Sequence, residues 1–263
     1  MTTIQLQQSA WQFDETKTLG APGGFGAVYR GTGPKGAVAV KRLHLTVGQA
    51  ANREMKFGAA FLARDFKHVV AVFDYGMDES TKSYFLVMPL CKKSLQNHLD
   101  EVASLSVEEA TDVSLNILYG LNEVSEIIHR DLKPGNILRY EDRWCLADFG
   151  IAKFVEDSTS LQTLRDCLTP AFAAPEQWKS EAPTHATDIY ALGCIWYCML
   201  TGAPPFAGAS SQRQAHLNLR PEPLTDVGDT LSSLAARMLR KSPDARPSIA
   251  RCIETLEALK KKT

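Results

Sequence analysis

Eleven residues, Ile128-His129-Arg130-Asp131-Leu132-Lys133-Pro134-Gly135-Asn136-Ile137-Leu138, constrain this chain more than any other part of its sequence. The run begins and ends apolar. Between those ends it carries a carboxylate (Asp131), an ammonium (Lys133) and a carboxamide (Asn136), grouped around a Pro-Gly turn. Asp, Pro, Gly and Asn are ordinary turn formers, so each residue alone marks only a turn. Together, in a loop between two apolar segments, they can point into one cleft. That set suits transfer of a phosphoryl group, where positioning and charge compensation carry most of the catalysis. Asp131 would orient a substrate hydroxyl and accept its proton, Lys133 would offset charge on the moving group, and Asn136 would offer a neutral oxygen to a hard divalent cation.

Such a loop needs partners from the rest of the chain. With 263 residues there is room for one large domain or two small lobes around an ample core. Lys and Arg total 29 and Asp and Glu 30, so the net charge of −1 gives no electrostatic footprint for nucleic acid or a membrane surface. The first residues lack the basic and long apolar regions of an export signal. The longest nearly unbroken apolar run, Ile189 to Leu200, is too short to span a bilayer and reads as a core helix. A cytoplasmic location is therefore expected. The six cysteines (Cys91, Cys145, Cys167, Cys194, Cys198 and Cys252) are expected as reduced thiols, because no C-x-x-C pair occurs.

Short strand-like runs broken by glycine, Trp11 to Leu19, Gly26 to Gly31 and Ala37 to Lys41, predict a small antiparallel sheet. Between the first two lies Leu19-Gly20-Ala21-Pro22-Gly23-Gly24-Phe25-Gly26-Ala27-Val28. Glycines let a backbone aim N–H groups at phosphate oxygens at close range, although a hairpin turn makes a similar demand. Lys41 ends the apolar strand Val38-Ala39-Val40, and an inward lysine requires an anionic partner. Gln49 to Leu62 has helical spacing, with Ala50, Glu54, Phe57 and Phe61 along one face. Glu54 interrupts that apolar stripe and is the candidate partner of Lys41. Val69 to Asp74 and Tyr84 to Met88 read as further strands. Beyond residue 93 the pattern turns helical: Ser94 to Asp100, Val107 to Ile127, Ile189 to Leu200, Leu231 to Leu239 and Ile249 to Lys260. A small sheet-rich part followed by a larger helical part predicts two lobes, with a nucleotide cleft at their junction.

From roughly Leu19 to Leu256 these segments resemble, in order, the eukaryotic-type protein kinases, and the serine/threonine branch in particular. His129-Arg130-Asp131-Leu132 with Asn136 is similar to the catalytic loop H-R-D-L-x-x-x-N, and Val38-Ala39-Val40-Lys41 to V-A-I-K. Asp148-Phe149-Gly150, twelve residues after Asn136, is similar to D-F-G, and Ala174-Pro175-Glu176 is A-P-E. Lys133-Pro134-Gly135-Asn136 and Thr169 look like the serine/threonine branch. Gly23 and Gly26 fall on two of the three loop glycines, but Ala21 stands where the first belongs, and Gly20 can fill that place only with one extra residue in the loop.

The resemblance implies an α+β, two-lobed protein kinase-like fold forming a single catalytic domain over 1–263. Its parts would be a small antiparallel β-sheet N-lobe with one main helix (about 11–88), a hinge (about 89–93) and a larger, mainly helical C-lobe (about 94–263). It implies ATP with Mg²⁺, or Mn²⁺, as cofactors and a protein as substrate. Gly20, Gly23, Gly24, Gly26, Val28, Ala39, Lys41, Glu54 and Asp148 would surround the nucleotide. Met88 would be the gatekeeper beside adenine, with the Pro89 carbonyl and the Cys91 N–H as its backbone partners. Asp131, Lys133 and Asn136 would be catalytic, and Asn136 and Asp148 would hold the metal. Ile151 to Ala173 resembles an activation segment, and a phosphate on Ser158, Thr159, Ser160 or Thr163 would pair with Arg130 and Lys153. Three further roles follow from the same likeness: Glu176 pairs with Arg246, Asp188 anchors the backbone near His129, and Thr169 bonds Asp131 and Lys133. Ala21 and Pro89 favour the alternative of a nucleotide-binding pseudokinase scaffold. A small-molecule kinase fits Lys133, Glu176 and Arg246 less well. The compact size suggests a bacterial or phage member, and the oligomeric state stays open.

Overall fold

The computed structural model describes residues 1–20, 26–43, 58–62, 64–149, 153–154 and 168–261. They fall into two compact units, Met1–Lys92 with Tyr140–Asp142, and Lys93–Arg139 with Arg143–Thr263.

The first unit is built on six antiparallel strands: β1 Thr2–Gln5, β2 Ala10–Thr18, β3 Gly26–Gly33, β4 Gly36–Leu43, β5 Asp74–Asp78 and β6 Ser83–Pro89. Their order across the sheet is β1-β2-β3-β4-β6-β5. Alternation along β4 decides what each face does. Val38 and Val40 join Ile4, Leu6, Trp11, Phe13, Phe85 and Val87 in one aromatic-rich core, while Ala39 and Lys41 point to the opposite face. The strands read at Trp11, Gly26, Ala37 and Tyr84 are all present within a few residues of their expected ends.

Two features of this unit differ from expectation. β1 adds a strand ahead of Trp11, and it is anchored at both ends of β5. Asp78 accepts from the Gln5 N–H at 2.9 Å, and Asp74 accepts from Gln8 N, Ser9 N and Trp11 Nε1 at 3.1, 3.0 and 2.8 Å. The strand expected over Val69 to Asp74 instead begins at Asp74. Val69, Val70 and Val72 are buried in the segment that leads into β5, whose paired register with β6 begins only at Asp74. Residues 58–62 are helical, as read for the end of the Gln49 to Leu62 segment. Glu54 lies outside the described residues, as do Ala21, Gly23, Gly24, Gly150, Ser158, Thr159, Ser160 and Thr163.

The second unit is mainly helical: α1 Leu95–Val102, α2 Val107–Glu123, α3 Pro175–Lys179, α4 His185–Thr201, α5 Gln212–Asn218, α6 Asp229–Met238 and α7 Ile249–Lys260. Ser94, Ser106, Thr184 and Ser248 cap α1, α2, α4 and α7 with their hydroxyls, each worth about 1 kcal/mol. Nearly all of α4 is buried, so its apolar run is the central post of this unit, and it ends where Gly202 turns left-handed at φ 78°. Helix α2 stops at Glu123, short of the expected Ile127. Ile127–Ile128 instead forms β7, paired with β10 at Lys153–Phe154. The hairpin of β8 (Ile137–Tyr140) and β9 (Arg143–Leu146) follows the Pro134–Asn136 turn. The described cysteines are free thiols, and no helix among the described residues is long and apolar enough to cross a membrane.

Candidate active site

Within the helical unit, the loop between β7 and β8 brings Asp131, Lys133 and Asn136 together. Lys133 Nζ donates to Asp131 Oδ2 at 2.6 Å and to Thr169 Oγ1 at 3.0 Å, and Thr169 Oγ1 donates to Asp131 Oδ1 at 2.6 Å. Asn136 Nδ2 bonds both the Asp131 carbonyl, at 2.9 Å, and its carboxylate, at 3.2 Å. Asp131 is 8% exposed. Its carboxylate is thus fixed from three sides, with a cation beside it. Thr169 belongs to a distant part of the sequence, and it closes the triangle as the family likeness implied.

The loop is held from below by α4. Asp188 accepts from His129 N at 2.9 Å and from Arg130 N at 2.8 Å, and Gln177 Nε2 bonds the Arg130 carbonyl at 2.9 Å. These bonds support a backbone with φ 70° at Arg130, a conformation that costs a non-glycine residue about 1 kcal/mol or more. Burial pushes the Asp188 carboxyl above its ordinary 3.8, against the His129 charge and the two N–H donors. His129 is buried, its Nε2 lies 3.0 Å from the Ala147 carbonyl, and its ring rests 4.7 Å from that of Phe149. It is a packed side chain of the interior. Gln177 is the support that no sequence signal marked, since a glutamine beside A-P-E has no pattern of its own.

Glu176 and Arg246 form the expected pair. Arg246 donates from both terminal nitrogens to Glu176, at 2.7 and 2.8 Å, and Thr187 Oγ1 adds a third bond at 2.8 Å. The remaining guanidinium donors reach the carbonyls of Ala186, Arg240 and Lys241. Burial works to raise the Glu176 carboxyl, but the Arg246 hydrogen bonds and charge leave it below its ordinary 4.5.

In the sheet unit, strand register gathers the expected nucleotide residues on one face. Val28 lies opposite Lys41, and Ala39 lies opposite Met88. Lys41 is buried at 6% exposure. Pro89 is the last residue of β6, where its missing N–H costs least, and Cys91 Sγ lies 3.7 Å from its carbonyl. Gly20 has φ 81° with open space around it. Gly26, at φ 149°, has a further reason to be glycine: a Cβ there would sit 2.1 Å from the Arg42 carbonyl oxygen of β4. The tight pairing of β3 with β4 therefore demands this residue whether or not phosphate binds.

The donor chemistry fits a divalent cation held jointly with phosphates. The Asn136 amide nitrogen is committed to Asp131, so its carbonyl oxygen faces away from that bond, and Asp148 sits after β9 at φ 58°, a special backbone position. No cluster of three or more His, Cys, Asp or Glu suited to a metal occurs among the described residues. A site made of one carboxylate and one carboxamide relies on phosphate oxygens to complete the shell.

Residues 13–256 match the family model described as protein kinase domain. The chain is 32% identical over 252 residues to Serine/threonine-protein kinase PkaA of Streptomyces coelicolor, covering 91% of this chain and 45% of that protein. It is 31% identical to PkaB of the same organism, covering 85% of this chain and 57% of PkaB. It is also 30% identical to Serine/threonine-protein kinase A of a Synechocystis species, covering 76% of this chain and 43% of that protein. The chain belongs to the protein kinase family, whose members use ATP and a divalent metal. It spans about half the length of these curated relatives.

Proposed function

We propose that this chain is a protein serine/threonine kinase that moves the γ-phosphoryl group of ATP to Ser or Thr hydroxyls of protein substrates, with Mg²⁺ as its metal. The observation that carries this reading is the closed triangle of Asp131, Lys133 and Thr169, with separations of 2.6, 3.0 and 2.6 Å. An acceptor hydroxyl approaching Asp131 would meet an oriented carboxylate that takes its proton as the new O–P bond forms. Lys133 Nζ, held beside that carboxylate, would lie against the transferring group and offset its charge. Bound ATP and Mg²⁺ would supply the phosphoryl group and the charge that polarises it. Asn136 and Asp148 would give oxygen ligands to the metal. On the other unit, Val28, Ala39 and Met88 would cover the base, the Pro89 carbonyl and Cys91 N–H would bond its edge, and Lys41 would meet phosphate oxygens. Gly20, Gly23, Gly24 and Gly26 belong to the phosphate side of the same proposal, and Glu54 is proposed as the counter-ion of Lys41.

The Glu176–Arg246 pair and Thr169 favour a protein acceptor over a small molecule, because they build the platform beside the catalytic loop rather than a closed pocket. The test is phosphate transfer from ATP and Mg²⁺ to paired peptides that differ only in a Ser, Thr or Tyr acceptor, read by mass. Added phosphate on the Ser and Thr peptides supports the proposal. Nucleotide binding without transfer to any peptide or to the chain itself would favour a scaffold instead.

A further inference from the structure

At the end of α4 remote from Asp188, the helical unit contains a cavity of about 600 Å³, a volume usual for ligand sites. Asp188 and Leu200 are twelve residues apart on α4, so the cavity lies about 18 Å along the helix from the anchor of the catalytic loop. Its walls are the start of α2, the last turn of α4, the Pro204-Pro205 turn and the loop before α6. They are pinned to one another. Leu105 N donates to the Met199 carbonyl at 2.6 Å, and Tyr197 OH donates to the Glu222 carbonyl at 2.6 Å. Pro204, Pro205 and Pro223 restrict the backbone further. Such walls are formed before anything binds, which limits the entropy lost on binding.

The lining has two characters. Leu105 and Leu224 make a buried apolar floor. Glu222 and Asp226, both exposed, line the mouth, and no lining residue is Lys, Arg or His. Neither carboxylate has an ion-pair partner among the described residues. Two more acids flank the walls: Glu109, whose carboxylate accepts from Ser106 N at 3.0 Å, and Asp229 at the start of α6. The hydrogen bonds from Ser106 hold the Glu109 carboxyl below its ordinary value, so it is ionised at neutral pH. An apolar floor under an unpaired acidic rim is complementary to an aliphatic side chain next to a cation. Thr225, exposed on the wall, adds a hydroxyl suited to a peptide backbone, whereas the hydroxyls of Ser106 and Thr201 are already bonded to Glu109 and to the Tyr197 and Ala203 carbonyls.

We propose that this cavity is a docking site for a polypeptide segment in which an aliphatic side chain neighbours Lys or Arg, carried by the proteins this chain phosphorylates. The occupant's role as a substrate rests on the kinase reading, whereas its binding does not. Spanning about 18 Å takes at least about five extended residues, so the docking segment is separate in sequence from the acceptor hydroxyl.

The test uses a dansyl-labelled hexapeptide, Gly-Leu-Lys-Leu-Arg-Gly, a version with both cations replaced by Glu, and spermidine as a cation without an apolar group. Fluorescence anisotropy is read on wild type and on the double variant Glu222→Lys/Asp226→Lys, with the melting temperature read on both proteins because Asp226 holds φ 60°. The expected result is binding of the basic peptide to wild type, weakened at least tenfold in the variant, with the acidic peptide now preferred. Appending the same hexapeptide to a peptide with a free Ser or Thr acceptor that the chain phosphorylates should lower KM on wild type only, with kcat unaltered. Equal binding to both proteins, or displacement by spermidine as effective as by unlabelled peptide, overturns the docking site. Binding without any phosphate transfer would refute the kinase reading and leave the site standing.

Discussion

Replacing Asp74 by Ala should loosen the β1–β2 end of the sheet from β5. The carboxylate is fully buried and serves four donors: Trp11 Nε1 at 2.8 Å, Ser9 N at 3.0 Å, Gln8 N at 3.1 Å and Tyr75 N at 2.9 Å. Trp11 and Tyr75 are buried, so water cannot replace the lost acceptor for them, and each orphaned donor costs about 1–3 kcal/mol. Gln8 is exposed and Ser9 half-buried, so their N–H groups recover much of the loss from solvent. The sum is about 2–6 kcal/mol, a large share of the 5–15 kcal/mol typical of a domain. Urea unfolding followed by far-UV circular dichroism measures it, and if the two units unfold separately, only the transition of the sheet unit should move. A double-mutant cycle with Trp11→Phe isolates the indole bond, with an expected coupling of about 1–3 kcal/mol. A loss below about 0.5 kcal/mol, or no coupling to Trp11, would show that the staple does not hold the sheet as described.

Arg246→Met should destabilise by about 3–5 kcal/mol, because Glu176 is left buried without its cation; an unshifted unfolding midpoint would contradict that pairing. The same pair gives an acid dependence. The lowered Glu176 carboxyl contributes stability in full above its ordinary 4.5 and loses it as the pH falls through its folded value, and Arg246→Met should remove that part of the profile. His216 gives a second window. It is fully buried beside Tyr190 OH at 2.9 Å, and burial, aided by the Lys241 charge, lowers it from 6.5 to about 4. The unfolded chain therefore binds the extra proton first, and up to about 3 kcal/mol is lost as the pH drops through that range. His216→Gln should flatten the fall in denaturant midpoint between pH 6.5 and 4, and a parallel fall in both proteins would rule out His216 as its source. Asp188→Asn should lower kcat at least tenfold with little change in KM for ATP, through loss of order at His129 and Arg130; an unchanged kcat would remove Asp188 from the support of the loop.

Which parts of the molecule could be read in advance follows from where the physical signal lies. The apolar run of α4 and the alternation in β4 are local patterns, and both elements appear close to their expected limits. The triangle of Asp131, Lys133 and Thr169 and the Glu176–Arg246 pair span long stretches of sequence, and they were anticipated only because the motifs resemble a family with known spacing. Asp74 had no such guide. A single aspartate after an apolar run looks like the end of a strand, and its indole and backbone partners come from a turn more than sixty residues earlier. Val69 to Val72 misled for a related reason, since burial from Val70 onward alternates as a strand's does while the ladder with β6 starts only at Asp74. The early end of α2 was hidden as well, because Ile127 and Ile128 extend its apolar pattern while pairing as β7.

The most direct measurement is Asp131→Asn against wild type, with phosphate transfer to a Ser/Thr peptide and the ATP-induced shift in melting temperature read on the same preparations. Transfer should fall at least a hundredfold while the nucleotide shift persists, because in the proposed mechanism the carboxylate takes the hydroxyl proton and does not hold ATP. Full transfer by Asp131→Asn would contradict the role assigned to the centre of the loop.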